Sequence, residues 1–446
     1  MAETKPEISF IGLGAMGFGM ATNLIKQGYR VTGFDVWKPT LEKFQAAGGS
    51  IATTPVEAVK GKDYCVCMVA TAQQAQAVLI DGDNPALPAL PKGAVLLLCS
   101  TVPCAYVQHL DRQLSELGRA DVRLIDSPVS GGAARAADGM LSIMAGGSDD
   151  AIGKGRFLLQ AMSDPNKLYI VNGGVGAGSN MKMCHQVLAA NQILAASEGL
   201  GFATHLGLDP HFASREIIKS DAWAWMFENR LPRMLDPEFK PVASALTIIL
   251  KDTSIITSEA RRCGFSTPMT STAEQIYFSG LGRGYGPDDD SSLIRLYTEG
   301  KEKVGPVKGL AEDDASKLKL VVALLKGIYL CSAAETIAFA NKCNLDLDQA
   351  FDLCINAAGG STIFQTVGPD IIKLCRGQPL PTGEGEGDSF GELVRQLQEA
   401  VEEAQRLKAP IYLGSQALVL TQLATQLVSG ATGHVSRAIV AKVWGL

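Results

Sequence analysis

Along the first third of the chain, apolar positions fall into short runs separated by amphipathic stretches. Residues 8–13 read as a buried strand and 15–27 as a helix. Residues 29–36 read as a second strand, followed by a helical pattern over 39–47. Two more apolar runs, 64–69 and 94–100, are bounded by loop residues. Strands alternating with helices in this way predict βαβ units and a parallel, doubly wound sheet. Three further strand-like pieces, 123–126, 141–145 and 168–171, extend it.

The pattern changes after the glycine-rich stretch Gly173-Gly174-Val175-Gly176-Ala177-Gly178. Residues 180–205 are rich in Ala, Leu, Glu and Met, repeat at helical period, and are long enough to cross between two domains. Helical patterning continues to about 296, and a charged link, 298–314, leads to a second helical stretch. Within that stretch, 377–391 reads as an exposed loop, and the chain ends with helical segments 414–428 and 435–443.

The second helical stretch repeats the first. Displaced by 137 positions, residues 181–206 fall on 318–343. Lys182 meets Lys319, Glu198 meets Glu335, Gly207-Leu208-Asp209 meets Asn344-Leu345-Asp346, and Phe227 meets Phe364. Pro268 pairs with Pro410 after a short insertion. A repeat of this length marks one supersecondary unit copied and packed beside itself. The expected organisation is a dinucleotide-type α/β Rossmann domain over 1–178 and a first helical domain over 179–300. A second, degenerate helical domain follows over 301–446.

Composition narrows the classes. With 46% apolar and 19% charged residues the chain is an ordinary globular one. A net charge of −6 argues against nucleic acid or an anionic membrane as partner. The polar, acidic N-terminus does not resemble a signal peptide, and no uninterrupted apolar run is long enough to span a bilayer, so a cytoplasmic location is expected. The ten cysteines are scattered, mostly within apolar segments such as Tyr64-Cys65-Val66-Cys67, and read as buried thiols rather than disulfides. Neither they nor the five histidines show metal-ligand spacing, so no metal site is expected.

Three motifs carry chemistry. Gly12-Leu13-Gly14-Ala15-Met16-Gly17 directly follows a strand pattern and opens a helix pattern. Gly12 permits the tight turn, Gly14 lets the backbone approach a pyrophosphate, and Gly17 lets helix pack on strand. Asp35 ends the second strand, where a carboxylate hydrogen-bonds an adenosine ribose. It favours NAD by repelling a 2′-phosphate, although Lys38 nearby leaves NADP possible. The second motif, Asp126-Ser127-Pro128-Val129-Ser130-Gly131-Gly132, offers consecutive backbone N–H groups for an anion. Read alone, it is more often a polar loop. In the third, Lys182 stands near the start of a long apolar helix, with His185 and Gln186 on the same helical face. Read alone, Lys182 is more often a surface lysine lying along apolar neighbours.

Taken together and in this order, the motifs resemble the β-hydroxyacid dehydrogenases, the group that includes 3-hydroxyisobutyrate and tartronate-semialdehyde enzymes. The resemblance spans residues 8 to about 296. It includes Ser100-Thr101 and the late pair Lys251-Asp252. Lys182-x-x-His185-Gln186, Trp225-Met226-Phe227-Glu228-Asn229-Arg230 and the Asp-rich 286–292 segment are closest to the L-threonate branch.

The resemblance implies an NAD-dependent oxidation at a carbinol carbon of a small 3-hydroxyacid or four-carbon sugar acid. Lys182 would be the general acid/base, and burial would have to lower its ordinary pKa of ~10.4. Ser130, Gly131 and Gly132 would hold the substrate carboxylate, and His185 and Gln186 its remaining hydroxyls. Gly12, Leu13, Gly14, Ala15, Met16, Gly17, Asp35, Val69, Thr101 and Lys251 would line the cofactor.

Where the branch has a Gly-Asn-Ser-type turn before Trp225, this chain reads Asp221-Ala222-Trp223-Ala224. The second copy, with Ala357-Ala358-Gly359-Gly360-Ser361, is nearer that pattern but carries Val322 and Ala323 in place of His185 and Gln186. Lys319 is therefore not expected to be catalytic. The alternatives are an imine reductase or reductive aminase of the same fold, which usually lacks the lysine, and an inactive dinucleotide-binding scaffold. By analogy with 6-phosphogluconate dehydrogenase, whose helical part is also duplicated, the second copy is expected to act as a built-in partner. The chain would then be a pseudo-dimer with one site, as a monomer or homodimer.

Overall fold

The structure is a computed structural model that describes residues 5–298, 313–380, 389–427 and 435–446. The charged link 298–314 lies, apart from its ends, outside the described residues, as do positions 381–388 of the glycine-rich loop. Two compact units make up the chain, Met1–Lys182 and Met183–Leu446. The second helical copy falls in the second unit, as does the first from Met183 onward.

The first unit is built on a nine-stranded sheet. Its strands are β1 (Glu7–Ile11), β2 (Arg30–Phe34), β3 (Ser50–Ile51), β4 (Tyr64–Cys67) and β5 (Val95–Leu98). They are followed by β6 (Arg123–Asp126), β7 (Val129–Ser130), β8 (Leu141–Gly147) and β9 (Ser163–Ile170). The order is β3-β2-β1-β4-β5-β6-β8-β7, with β9 paired to β8. Strands β1 to β6 run parallel in the order of a dinucleotide-binding fold. The extension is antiparallel where β8 meets β6, an orientation that apolar patterning does not signal.

Helices α1 (Gly17–Lys26), α2 (Lys38–Ala46), α3 (Pro55–Val59) and α4 (Ala72–Gln76) connect the first strands. The later connections are α5 (Cys104–Glu116), α6 (Gly132–Asp138) and α7 (Asp149–Met162). Both faces of the sheet are covered, as a continuous apolar run in a parallel strand requires. Along β4, Val66 enters one core with Phe10 and Leu97, whereas Cys65 and Cys67 enter the other with Ile11, Leu96 and Leu98. Burial pushes the Cys65 thiol up to about 12. These sulfurs are core atoms, and none of the ten cysteines forms a disulfide.

The helix that carries the third motif, α8 (Ala177–His205), runs through the boundary between the units. The first helical copy continues with α9 (Pro210–Lys219), α10 (Trp225–Met234), α11 (Leu246–Arg262), α12 (Pro268–Gly282) and α13 (Arg295–Thr298). The second comprises α14 (Asp314–Lys342), α15 (Leu347–Asn356), α16 (Thr362–Cys375), α17 (Phe390–Leu407) and α18 (Tyr412–Leu427). Among the described residues α14 is the one helix long and apolar enough to cross a bilayer, and its apolar window is 89% buried inside the unit. It is a core helix.

The repeat is structural as well as sequential. Gly207 and Asn344 both end their long helices in the left-handed region, with φ of 77° and 54°. That region suits glycine and tolerates asparagine. Two residues on, Asp209 caps α9 by accepting the Phe212 amide, and Asp346 caps α15 by accepting those of Asp348 and Gln349.

The copies also exchange contacts. Glu335 on α14 accepts the amides of Met269 and Thr270 at the start of α12 in the first copy. Glu198, its equivalent on α8, accepts those of Leu413 and Gly414 at the start of α18 in the second. Each long helix thus supplies the carboxylate that satisfies the orphan amides of the other copy's helix.

Candidate active site

In the first unit, the residues expected at the cofactor follow the carboxyl ends of four adjacent parallel strands, β2, β1, β4 and β5. Gly12 adopts φ of 93°, and a methyl group on it would lie 2.2 Å from the Met68 carbonyl oxygen. A methyl on Gly17 would lie 2.0 Å from the Gly12 oxygen. Both positions are closed to any side chain. Gly14 is exposed and has nothing within 4 Å of where its Cβ would stand, so an incoming phosphate could approach the backbone there. No side chain caps the start of α1, and its first turn holds no acid. Its amides therefore suit an anion.

Asp35 braces this turn. Its Oδ2 accepts the Leu13 amide at 2.7 Å and its Oδ1 accepts the Trp37 amide at 2.8 Å. A carboxylate has further lone pairs for ribose hydroxyls. Ala15 is exposed and Met16 half-buried on the same turn. Val69 follows β4 and donates its amide to Ser100 Oγ at 2.8 Å, while Thr101 follows β5. The residues present fit a bound dinucleotide.

Ser130 ends β7, and Gly131 and Gly132 open α6 with φ of 141° and 77°. The two glycines are exposed. Asp126, at the head of the same motif, takes a role that sequence reasoning missed. Its carboxylate is fully buried and accepts the Ser179 amide and the Ser179 hydroxyl, each at 2.7 Å. Burial raises its pKa to about 6 despite these bonds. Asp126 thus ties the end of β6 to the first turn of α8, three residues before Lys182. Lys182 itself is 5% exposed, so the surface-lysine reading fails.

In the second unit, four side chains form a continuous chain. His185 Nδ1 lies 3.0 Å from Gln186 Oε1, Gln186 Nε2 donates to Asp252 Oδ2 at 2.6 Å, and Asp252 Oδ1 pairs with Lys251 Nζ at 3.1 Å. A carboxylate only accepts, which turns the Gln186 amide nitrogen toward Asp252 and its oxygen toward His185. His185 Nδ1 must then carry the hydrogen, and in the neutral ring Nε2 is the acceptor. Asp252 was the second residue missed. Its signal was its place beside Lys251 in the late motif, on α11, three helices after the α8 that carries Gln186. In the second copy the lysine equivalent to Lys182, Lys319, is exposed, and Val322 and Ala323 offer no hydrogen bonds from their side chains. Among the described residues no group of acids, histidines and cysteines could hold a metal.

A parallel sheet in this strand order, with an uncapped glycine turn after β1, defines a dinucleotide-binding domain. Comparison with known proteins makes the assignment narrower. Residues 7–174 match the NAD-binding domain of 6-phosphogluconate dehydrogenase, and residues 176–297 match the NAD-binding domain of NADP-dependent 3-hydroxyisobutyrate dehydrogenase. The chain is 36% identical over 290 residues to an L-threonate dehydrogenase of Cupriavidus necator, covering 65% of this chain and 95% of that one. The solved 3-hydroxyisobutyrate dehydrogenase of Salmonella typhimurium is 30% identical with a TM-score of 0.60, over 66% of this chain and all of that one. The chain belongs to the β-hydroxyacid dehydrogenase family and is an NAD(P)-dependent hydroxyacid dehydrogenase. In fold it is also similar to Plasmodium falciparum 6-phosphogluconate dehydrogenase, at 16% identity and a TM-score of 0.68, over 96% of this chain and 93% of that one.

Proposed function

We propose that this enzyme oxidises a small 3-hydroxyacid or a four-carbon sugar acid such as L-threonate, with NAD as the favoured acceptor. The observation that carries the reading is the buried Lys182, one helical turn before a His185–Gln186 pair held by Asp252 and Lys251. Bound NAD supplies the hydride acceptor. The remaining chemistry belongs to this chain. Lys182 takes the proton of the reacting hydroxyl as its carbon loses hydride and becomes a carbonyl. The amides of Ser130, Gly131 and Gly132 hold the substrate carboxylate. His185 Nε2 and Gln186 orient the remaining hydroxyls, and Lys251 serves the cofactor side. Asp252 holds Gln186 and Lys251 in place.

One site per chain is proposed, since Lys319 is exposed and lacks the polar partners. The second copy takes the place of a partner's helical unit. A panel of three- and four-carbon hydroxyacids, followed by NADH absorbance, tests the substrate class. Lys182→Met should lower kcat by about 100-fold or more while NADH still binds. Undiminished turnover by that variant would overturn the role of Lys182. A wild-type enzyme that binds NADH yet oxidises none of the panel would overturn the substrate reading.

A further inference from the structure

Within the second unit, α8 and α14 pack along one another. A methyl group on Gly199 of α8 would lie 2.8 Å from Leu325 Cδ2 of α14. Nearer the start of α8 and just past the end of α14, the thiols of Cys184 and Cys343 face one another. The two helices therefore run antiparallel, and both thiols belong to the second unit. Cys184 is fully buried, whereas Cys343, the residue that ends α14, is half-buried. Stacking of Phe339 on Phe265, with ring centres 5.2 Å apart, holds this end of α14 in place.

The thiol pair is not a by-product of the repeat. Displaced by 137 positions, Cys184 falls on Val321 and Leu206 falls on Cys343. The symmetry-equivalent positions thus hold two buried apolar residues, Val321 and Leu206. The two sulfurs also differ in character. Burial pushes the Cys184 thiol well above its ordinary range, so it keeps its proton. The hydrogen bond from Cys184 holds the Cys343 thiol below its ordinary value. Burial, Glu259 and the carbonyl end of α14 oppose that lowering, while Arg262 and Lys342 assist it. Cys263 lies near the same pair but turns its thiol to the Ala260 carbonyl at 3.4 Å. Thiolate character, access to solvent and a second thiol in contact are together what make a cysteine reversibly oxidisable.

We propose that Cys343 and Cys184 form a peroxide-sensitive thiol pair whose disulfide slows the enzyme. The Cys343 thiolate attacks hydrogen peroxide, the O–O bond breaks, hydroxide leaves and Cys343 becomes a sulfenic acid. The Cys184 sulfur then attacks the Cys343 sulfur. An S–S bond forms, the S–O bond breaks, and the hydroxyl leaves as water with the Cys184 proton. Peroxide is the oxidant, and a dithiol reductant reverses the step. Bonding draws the sulfurs to about 2.05 Å, closer than any non-bonded contact, so Cys184 must shift and carry its neighbour His185 with it. Displacement of a positioning group by about 1 Å costs up to about 100-fold in rate. The slowing rests on the reading that His185 faces the substrate; the bond itself does not.

The test treats the full-length enzyme with hydrogen peroxide, alkylates the thiols that remain and maps the peptides, with L-threonate oxidation followed in parallel. A Cys184–Cys343 linked peptide should appear and kcat should fall by about tenfold or more, both reversed by dithiothreitol. Cys343→Ser should keep its basal turnover, give no linked peptide and stay active in peroxide. Cys184→Ser should stop at the Cys343 sulfenic acid, which dimedone labels. Absence of the linked peptide, a link from Cys343 to Cys263, or a linked enzyme as active as the reduced one would overturn the proposal. A reduced wild type that oxidises none of the hydroxyacids would instead overturn the substrate reading, and the linked peptide would still report the thiol pair.

Discussion

Ala224 and Ser361 bridge to one another in antiparallel fashion, although the two residues hold the same place in successive helical copies, 137 positions apart. The flanking bonds obey the same exchange, from Trp225 to Gly360 and from Thr362 to Trp223. Such self-complementary pairing is the signature of an isologous twofold interface between separate subunits. Here both halves belong to one chain, and the link between the copies keeps their effective concentration high.

A chain ending at Tyr297 would keep the parts that the curated relatives have, because one of them is matched over 95% of its length by 65% of this chain. It would leave without their partners the backbone groups of Trp223 and Trp225 and the amides at the start of α12, which the second copy now bonds. We expect it to dimerise or lose activity, with light scattering reporting twice the chain mass in the first case. The full-length chain should keep its activity at any dilution. An active monomer ending at Tyr297 would remove the built-in partner.

The exchanged carboxylates make a second prediction. Burial pushes both Glu198 and Glu335 up to about 7, against the lowering effect of the amides they accept. Each is raised above its ordinary value, so the folded state holds the proton more tightly than the unfolded chain. Their contribution to stability is full below pH ~4.5 and is lost as pH rises to about 7. The loss is on the order of 3 kcal/mol for each residue. Urea unfolding across this range should show the decline. A Glu198→Gln, Glu335→Gln variant should lack that part of it, and should be less stable at low pH because an amide can accept only through its single oxygen. An identical pH slope in the variant would sink the assignment.

How far the sequence could be read follows from the range of the interactions concerned. The strands of the first unit were legible because both sheet faces are buried and each strand is a short apolar run, as with Leu96, Leu97 and Leu98. The glycine turn was legible because Gly12 and Gly17 are local steric necessities. The repeat was legible as matching letters, and Gly207 with Asn344 shows that even the substitution kept the backbone conformation. The short strands β3 and β7 have two residues each and leave no periodicity to detect. Asp126 and Asp252 were missed as organising residues for another reason. Their partners, Ser179 and Gln186, lie 53 and 66 residues away, and no local pattern joins them. The exchange between Glu198 and Glu335 was invisible for the same reason, although the two residues had been aligned.

The Asp126–Ser179 pair should matter to both stability and turnover. Ser179→Ala removes a 2.7 Å bond to a buried carboxylate while leaving the amide bond intact. Losing a charge-assisted bond of this kind costs about 1.5–3 kcal/mol. Because Lys182 lies one turn further along the same helix, we expect kcat to fall by about tenfold while NADH affinity holds. Urea midpoints and saturation kinetics measure the two effects, and a variant unchanged in both would show that the start of α8 is fixed by other contacts.

Asp35 should set the choice of cofactor. Its two oxygens already hold the Leu13 and Trp37 amides, at 2.7 and 2.8 Å, which fixes the carboxylate beside the glycine turn. On the proposed cofactor reading it would accept the adenosine ribose hydroxyls and set a negative charge against a 2′-phosphate. Asp35→Ser removes the charge and the bidentate acceptor but leaves a small polar group. Use of NAD should fall by about tenfold or more, because ribose hydroxyls lose their acceptor. Use of NADP should fall less or improve, because the repulsion is gone; Lys38, three residues on, is the first residue of α2. Comparing kcat/KM for the two cofactors at fixed ionic strength isolates the effect, since raising salt screens the repulsion in the wild type as well. If the preference ratio of the variant equals that of the wild type, selectivity resides elsewhere in the 35–38 loop, and Lys38 becomes the residue to change next.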